Sequence, residues 1–292
     1  MLIDSPENSY FTKKKAIRLN GELIDLSNPL VMGVLNVTPD SFFDGGRYVS
    51  PVAAFDHAVE MISEGAAIID IGACSTRPGA KDVGTEEELK RLLPVVKQIR
   101  KAFPDVILSI DTYRSQVAEV VVAEVGDCII NDISCGLLDE NMFATIARLK
   151  VPYILMHIQG TPATMQQNPH YNNVTKEVIY QLSKGVYKLH ELGVSDVIID
   201  PGFGFGKTVD HNYELFNHLD AFRFLELPML VGVSRKSMIY KHLDILPENS
   251  LNGTTVLNTL ALKAGANILR VHDVKEAVQT IRIFQKIKQF AQ

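Results

Sequence analysis

The chain has 292 residues, 46% of them hydrophobic, enough to bury one large core and close to the usual length of an eight-stranded α/β barrel. Its net charge of −5 is spread without a long basic stretch, and no apolar span suits a transmembrane helix, so nucleic-acid and membrane roles have no footing. Cys74, Cys128 and Cys135 are odd in number and lack Cys-x-x-Cys spacing, and residues 1–15 have no signal-peptide core; a reducing, cytoplasmic setting is expected.

Residues 16–26 alternate apolar and polar positions around Asn20-Gly21, a strong hairpin signal. With the extension before it, this ribbon occupies residues 1–28 and is expected to close the bottom of a barrel. Eight short apolar runs follow, at 31–36, 67–72, 106–111, 128–132, 153–157, 197–200, 229–234 and 267–271. Val/Ile/Leu runs without alternation suit strands buried on both faces, as in a parallel sheet. Most end on a residue able to do chemistry.

Helical periodicity fills the gaps. Leu89, Leu92, Leu93, Val96 and Ile99 share a face, preceded by Thr85-Glu-Glu-Glu88, which reads as a capping box, with Pro94 the one irregularity. Val178, Leu182, Val186 and Leu189 mark a second helix; Val256, Leu257, Leu260, Ala261 and Ala264 mark a third. The expected fold is α/β, a (β/α)8 TIM barrel with a short N-terminal β-hairpin, in one domain over residues 1–292. A doubly wound sheet would want a Gly-rich fingerprint after its first strand, and none is present. The barrel gathers all eight strand ends in one ring, where such folds place their sites.

Two connections, 37–50 and 73–84, are longer than the scaffold needs and read as lids over that ring. Asp200-Pro-Gly-Phe-Gly-Phe-Gly-Lys-Thr208 invites a phosphate-loop reading that fails on spacing, because Pro201 stands where the first glycine must be. A strand ending in a carboxylate, then a Gly-rich turn that lets backbone and Phe205 approach a flat ligand, is the better reading.

At this point the chain resembles the dihydropteroate synthase family. The residues that carry the likeness are Met32-Gly-Val-Leu-Asn-Val-Thr-Pro-Asp-Ser-Phe42 with Asp44-Gly-Gly46, Ser75-Thr-Arg-Pro-Gly79, Ile110-Asp-Thr112, Asn131-Asp-Ile133, Met156-His-Ile-Gln-Gly-Thr-Pro162, Asp200-Pro-Gly-Phe-Gly-Phe-Gly206, Ser234-Arg-Lys-Ser237 and Arg270-Val-His272. They run in family order from about residue 30 to the end. The resemblance implies condensation of 4-aminobenzoate with 6-hydroxymethyl-7,8-dihydropterin pyrophosphate, with Mg²⁺, to 7,8-dihydropteroate and pyrophosphate. It also implies small-molecule substrates; a homodimer is expected from the apolar residues left on the late helices.

By the same resemblance, Asp200 accepts the adjacent pterin ring N–H and 2-amino donors, a task suited to a carboxylate. Asn131 reads the neighbouring edge, Asp111 completes the polar wall, and Lys236 faces the ring carbonyl and N5. Ile133, Met156, Phe205 and Gly232 are the slot's walls. Thr76, Arg270, Val271 and His272 meet the pyrophosphate, helped by the helix that starts after Asp273. Asn36 is the expected Mg²⁺ ligand. Ser234, where the seventh strand passes into a short helix at Arg235-Lys236, suits the aminobenzoate carboxylate, with Phe42, Arg77 and Pro78 around its ring. The catalytic set is Asn36, Asp44, Lys236, Arg270 and His272.

Two departures from the family pattern stand out. Gly72-Ala-Cys74 replaces a common Gly-Gly-Glu, and Phe43 replaces a small polar residue. A corrinoid-linked methyltetrahydrofolate methyltransferase and a non-catalytic pterin-binding protein are the alternative readings.

Overall fold

The computed structural model describes residues 14–38, 51–74 and 83–290. The elements in chain order are β1 (Ala16–Leu19), β2 (Glu22–Asp25), β3 (Leu30–Asn36), α1 (Pro51–Glu64), β4 (Ile68–Gly72), α2 (Thr85–Ala102), β5 (Ile107–Asp111), α3 (Ser115–Val125), β6 (Ile129–Asp132) and α4 (Met142–Leu149). They continue with β7 (Tyr153–Met156), α5 (Val174–Glu191), β8 (Val197–Asp200), α6 (Val209–Asn217), β9 (Leu230–Val231), α7 (Ser237–Leu243), α8 (Leu251–Ala264), β10 (Ile268–Val271) and α9 (Val274–Lys288). Strands β3 to β10 form one parallel sheet in the order β8-β7-β6-β5-β4-β3-β10-β9, and a bridge between Ile199 and Met229 closes the ring. All eight expected runs become these strands.

Strand side chains alternate between two faces, and here both faces are apolar for different reasons. Val31, Leu35, Ile69, Ile71, Leu108, Ile110, Ile130, Leu155, Val197, Ile199, Leu269 and Val271 pack outward into the core shared with the helices. Met32, Ile68, Ile129, Ile154, Ile198, Leu230 and Ile268 fill the barrel interior with Ile17 and Leu26. Fully burying one such side chain contributes about 1.5–3 kcal/mol.

The hairpin closes the bottom as expected. Asn20 (φ 51°) and Gly21 (φ 78°) take the left-handed conformations of a tight two-residue turn, and Ala16 pairs with Asp25. Lys14 anchors the ribbon through its amide to the Glu226 carbonyl (2.8 Å) and its ammonium to Asp196 (2.6 Å).

Three local expectations are corrected. Helix α2 begins at Thr85 behind Gly84 with no side-chain cap, because Glu88 is buried and paired with Arg114 instead of reaching back. In α8 the buried face is Thr254, Leu257, Asn258, Ala261 and Leu262, while Val256 and Leu260 are exposed. The turn after β9 is not helical at Arg235, whose φ is 55°; α7 starts at Ser237. Helices α2 and α5 bury the expected faces, with α2 continuing through Pro94.

Candidate active site

The interior layers can be followed upward two residues at a time. Above the floor made by Ile68, Ile129, Ile154, Ile198, Leu230 and Ile268 come Asp70, Asn131, Met156, Asp200, Gly232 and Arg270, all in the same strand phase. One further step reaches Gly72, Asp111, Ile133, Ser234 and His272, together with Asn36, which pairs with Gly72 across β3 and β4. An apolar plug gives way to a polar cup within one layer.

The cup is a connected network. Arg270 donates from Nε to Asp70 Oδ2 (2.7 Å) and from Nη2 to Asp111 Oδ2 (2.8 Å). Asn131 Nδ2 donates to the same Asp70 oxygen at 3.0 Å. Lys236 donates from Nζ to the Phe203 carbonyl, and its ammonium lies 4.8 Å from the centre of the Phe205 ring. The Gly202 amide donates to Asp200 Oδ1 at 2.8 Å, which fixes the carboxylate plane. Ser234 Oγ accepts from the His272 amide at 3.2 Å and lies 3.2 Å from His272 Nδ1.

Burial and neighbouring charge tune these groups against one another. Burial pushes Asp111 up to about 7; Arg270 opposes this, while Asp70, Glu88 and Asp132 add to it. Burial also raises Asp200, opposed chiefly by Lys236, and brings Lys236 down to about 8 against the pull of Asp200. For Arg270 burial disfavours the charge, but Asp70 and Asp111 outweigh it and hold the guanidinium protonated. His272 is pushed down to about 4 by its crowded setting and by Arg270 and Arg235. As a residue His272 is nonetheless exposed, and Arg270 and Arg235 add to the burial that favours its neutral imidazole.

The Gly-rich turn is shaped by a lysine turned inward. Lys207 is buried and its Nζ reaches His157 Nδ1 (2.8 Å), the Gly202 carbonyl (2.8 Å) and the Phe205 carbonyl (3.1 Å). Burial, reinforced by Lys207, takes His157 down to about 2, so its ring nitrogen is an acceptor. A Cβ on Gly202, whose φ is 70°, would collide with the His157 carbonyl oxygen. Lys207 therefore clasps the turn beneath Phe205, which agrees with rejecting a phosphate loop.

The structure brings together Asp111, Asn131, Asp200, Phe205, Gly232, Lys236 and Arg270, and pairs Ser234 with His272. Met156 lies against Gly202, and Ile133 is buried outside both apolar cores. Asn36 is exposed at the end of β3. One placement differs from expectation. Val271 faces the outer core, so its side chain does not line the cup. Arg270 sits one layer below His272, on the acidic wall. Phe42, Asp44, Thr76, Arg77 and Pro78 lie outside the described residues.

Asp70 and Lys207 were missed by sequence reasoning. Each carried a signal: a charge in the middle of an apolar run, and a lysine beside a turn too irregular to cradle phosphate. Arg114 is another omission. It donates to Glu88, to Cys74 Sγ (3.3 Å) and to the Val83 carbonyl (2.6 Å), touching both ends of the second long connection. Cys74, where the family pattern has glutamate, is pushed up to about 12 chiefly by burial and is no thiolate.

The comparisons with known proteins agree with this geometry. The family model described as pterin binding enzyme matches residues 32–272. Dihydropteroate synthase of Escherichia coli is 45% identical over 267 residues, covering 91% of this chain and 94% of that one. The Yersinia pestis dihydropteroate synthase structure with a sulfonamide drug complex superimposes with a TM-score of 0.88 at 40% identity, covering 94% of this chain and 99% of that one. Xanthomonas albilineans dihydropteroate synthase with 4-aminobenzoic acid gives 0.87 at 37% identity, covering 95% and 99%. With an apolar barrel floor, a polar cup and relatives of this closeness, the chain belongs to the pterin-binding enzyme family, among the dihydropteroate synthases.

Proposed function

We propose that the chain condenses 6-hydroxymethyl-7,8-dihydropterin pyrophosphate with 4-aminobenzoate to give 7,8-dihydropteroate and pyrophosphate. The observation that carries this reading is the linked set Asn131–Asp70–Arg270–Asp111, with Asp200 and Lys236 beside it, at the mouth of one barrel. It offers acceptors, donors and a cation over one small area, as a flat heterocycle with amide-like edges requires.

Asp200 accepts the ring N–H and 2-amino pair, Asn131 takes the next edge, and Lys236 donates toward the ring carbonyl and N5. Met156, Ile133, Phe205 and Gly232 wall the slot; a glycine at 232 leaves room beside Arg270 and Lys236. An arylamine is already unprotonated at neutral pH, so leaving-group departure is the demanding step. The methylene C–O bond breaks and its electron pair leaves with pyrophosphate. The arylamine nitrogen then forms the C–N bond and releases its proton to water. Asp200 supports the cationic character that develops on the pterin, while Arg270, His272 and the first turn of α9 face the pyrophosphate and Ser234 suits the aminobenzoate carboxylate. Arg270 offsets the acidic wall between the two.

Asn36 fits a magnesium ligand of the shared kind: one exposed amide oxygen at the rim, suited to an ion carried mainly by substrate phosphates. Bound there, the ion supplies positive charge to the departing oxygens. Two further parts of the reading are a homodimer through exposed Val256, Leu260, Ile283 and Ile287 on α8 and α9, and a cytoplasmic setting. Light scattering tests the first.

The deciding assay mixes pure protein with the pterin pyrophosphate, 4-aminobenzoate and Mg²⁺, omits each in turn, and measures dihydropteroate. Product requiring all three is expected. Pterin binding without product would overturn the reading in favour of a silent binder.

A further inference from the structure

We propose that Asp70 is a positioning residue of the pterin site, a single carboxylate that sets which end of the Asn131 amide faces the ligand and where the Arg270 guanidinium lies. The inference rests on the pterin reading above and deepens it.

Asp70 is wholly buried in the middle of β4, in phase with Ile68 of the floor and Gly72 of the rim. Its Oδ2 accepts both from Asn131 Nδ2 and from Arg270 Nε, while its Oδ1 has no hydrogen-bond partner among the described residues. A carboxylate buried on those terms is a poor stabiliser; a well-packed apolar residue in an otherwise isoleucine-rich strand would serve the fold at least as well. What it supplies is direction. An asparagine amide has a donor end and an acceptor end of almost equal shape, and either can face a ligand. An ionised carboxylate only accepts, so facing Asp70 the amide must turn its NH2 inward and leave its oxygen for the ligand's donors. The same oxygen holds Arg270 Nε, and the guanidinium reaches on to Asp111 at 2.8 Å. One buried group thus orients residues on β5, β6 and β10.

The test compares wild type with Asp70→Asn, which keeps the shape but lets either end of the amide donate or accept. KM for the pterin pyrophosphate is expected to rise at least tenfold, with KM for 4-aminobenzoate within about twofold, since 1.4 kcal/mol corresponds to one decade. The pH dependence of kcat/KM carries a second signature. Arg270, Asp70, Glu88 and Asp132 are the charges that set Asp111; removing the Asp70 charge lowers the Asp111 pKa, so the acidic limb near pH 7 moves to lower pH. Asp70→Asn combined with Asn131→Asp restores an obligate acceptor facing the ligand and is expected to recover pterin affinity, read by titrating 6-hydroxymethyl-7,8-dihydropterin.

Unchanged pterin KM and an unmoved limb in an active, folded Asp70→Asn would overturn the proposal. So would a folded double variant with no recovery. If Asp70→Asn does not fold, the wild type still decides through ¹⁵N NMR: the Asn131 side-chain NH2 must be protected from exchange before and after pterin binds, and rapid exchange in both states overturns the assignment. A wild type that makes no dihydropteroate contradicts the functional reading instead, so the two failures are distinguishable.

Discussion

The bottom and the top of the barrel are built from the same strands and share almost nothing chemically. At the bottom, isoleucine, leucine and methionine from the strands interlock with Ile17 and Leu26 of the hairpin. One layer higher, about 6.6 Å along each strand, the same inward positions carry Asp70, Asn131, Asp200 and Arg270. Apolar packing is concentrated below and hydrogen-bonding groups above. A charged cup of this kind holds its shape because a dense apolar plug lies directly beneath it.

Mutations in one strand can break or sharpen that contrast. Ile198→Ala in the floor is expected to cost about 2–5 kcal/mol of stability through cavity formation. Substrate KM per folded molecule should stay within about twofold, checked by chemical denaturation beside steady-state kinetics. Asp200→Asn, two residues on, should reverse the pattern. It loses about 2–3 kcal/mol of pterin recognition while the denaturation midpoint barely moves, because the burial that raises the Asp200 pKa makes its charge a cost to the fold. Near wild-type turnover there would remove Asp200 from its role.

The smallest effect is in the pH dependence of stability. Asp111 is raised from an ordinary carboxylate value to about 7, so the folded chain holds a proton that the unfolded chain has released between about pH 4 and 7. Its contribution is fully present below pH 4 and is lost as pH rises through 7. Asp111→Asn should flatten that part of a Tm-against-pH curve, and an unchanged slope would show that Arg270 keeps the carboxyl ionised throughout.

Much of the architecture was legible because parallel strands write themselves as uninterrupted apolar runs, and the Asn20-Gly21 turn needs left-handed backbone that few other pairs adopt. The site was legible wherever a polar residue ended a run, as at Asp111 and Asp200. It was not legible inside a run. With both faces apolar, nothing in residues 67–72 says whether Asp70 points to the helices or to the interior; only the register with its neighbours decides. Val256 and Leu260 misled for a different reason, since an apolar stripe does not say whether its cover belongs to the same chain. Lys207 was hidden because three acceptors converge on it from separate turns.

The ring is not equally strong all the way round. Neighbouring strands join over two to five residue pairs, but β8 and β9 meet at the single Ile199–Met229 bridge. Asp200 stands on one side of that seam, and Gly232 and Lys236 on the other. The stitch at its lower end is Lys14, whose bonds reach Glu226 before β9 and Ser195 and Asp196 before β8. A molecule seated between Asp200 and Lys236 would act as a rivet at the upper end, the counterpart of the lacing that Lys14 supplies below, just ahead of the first strand.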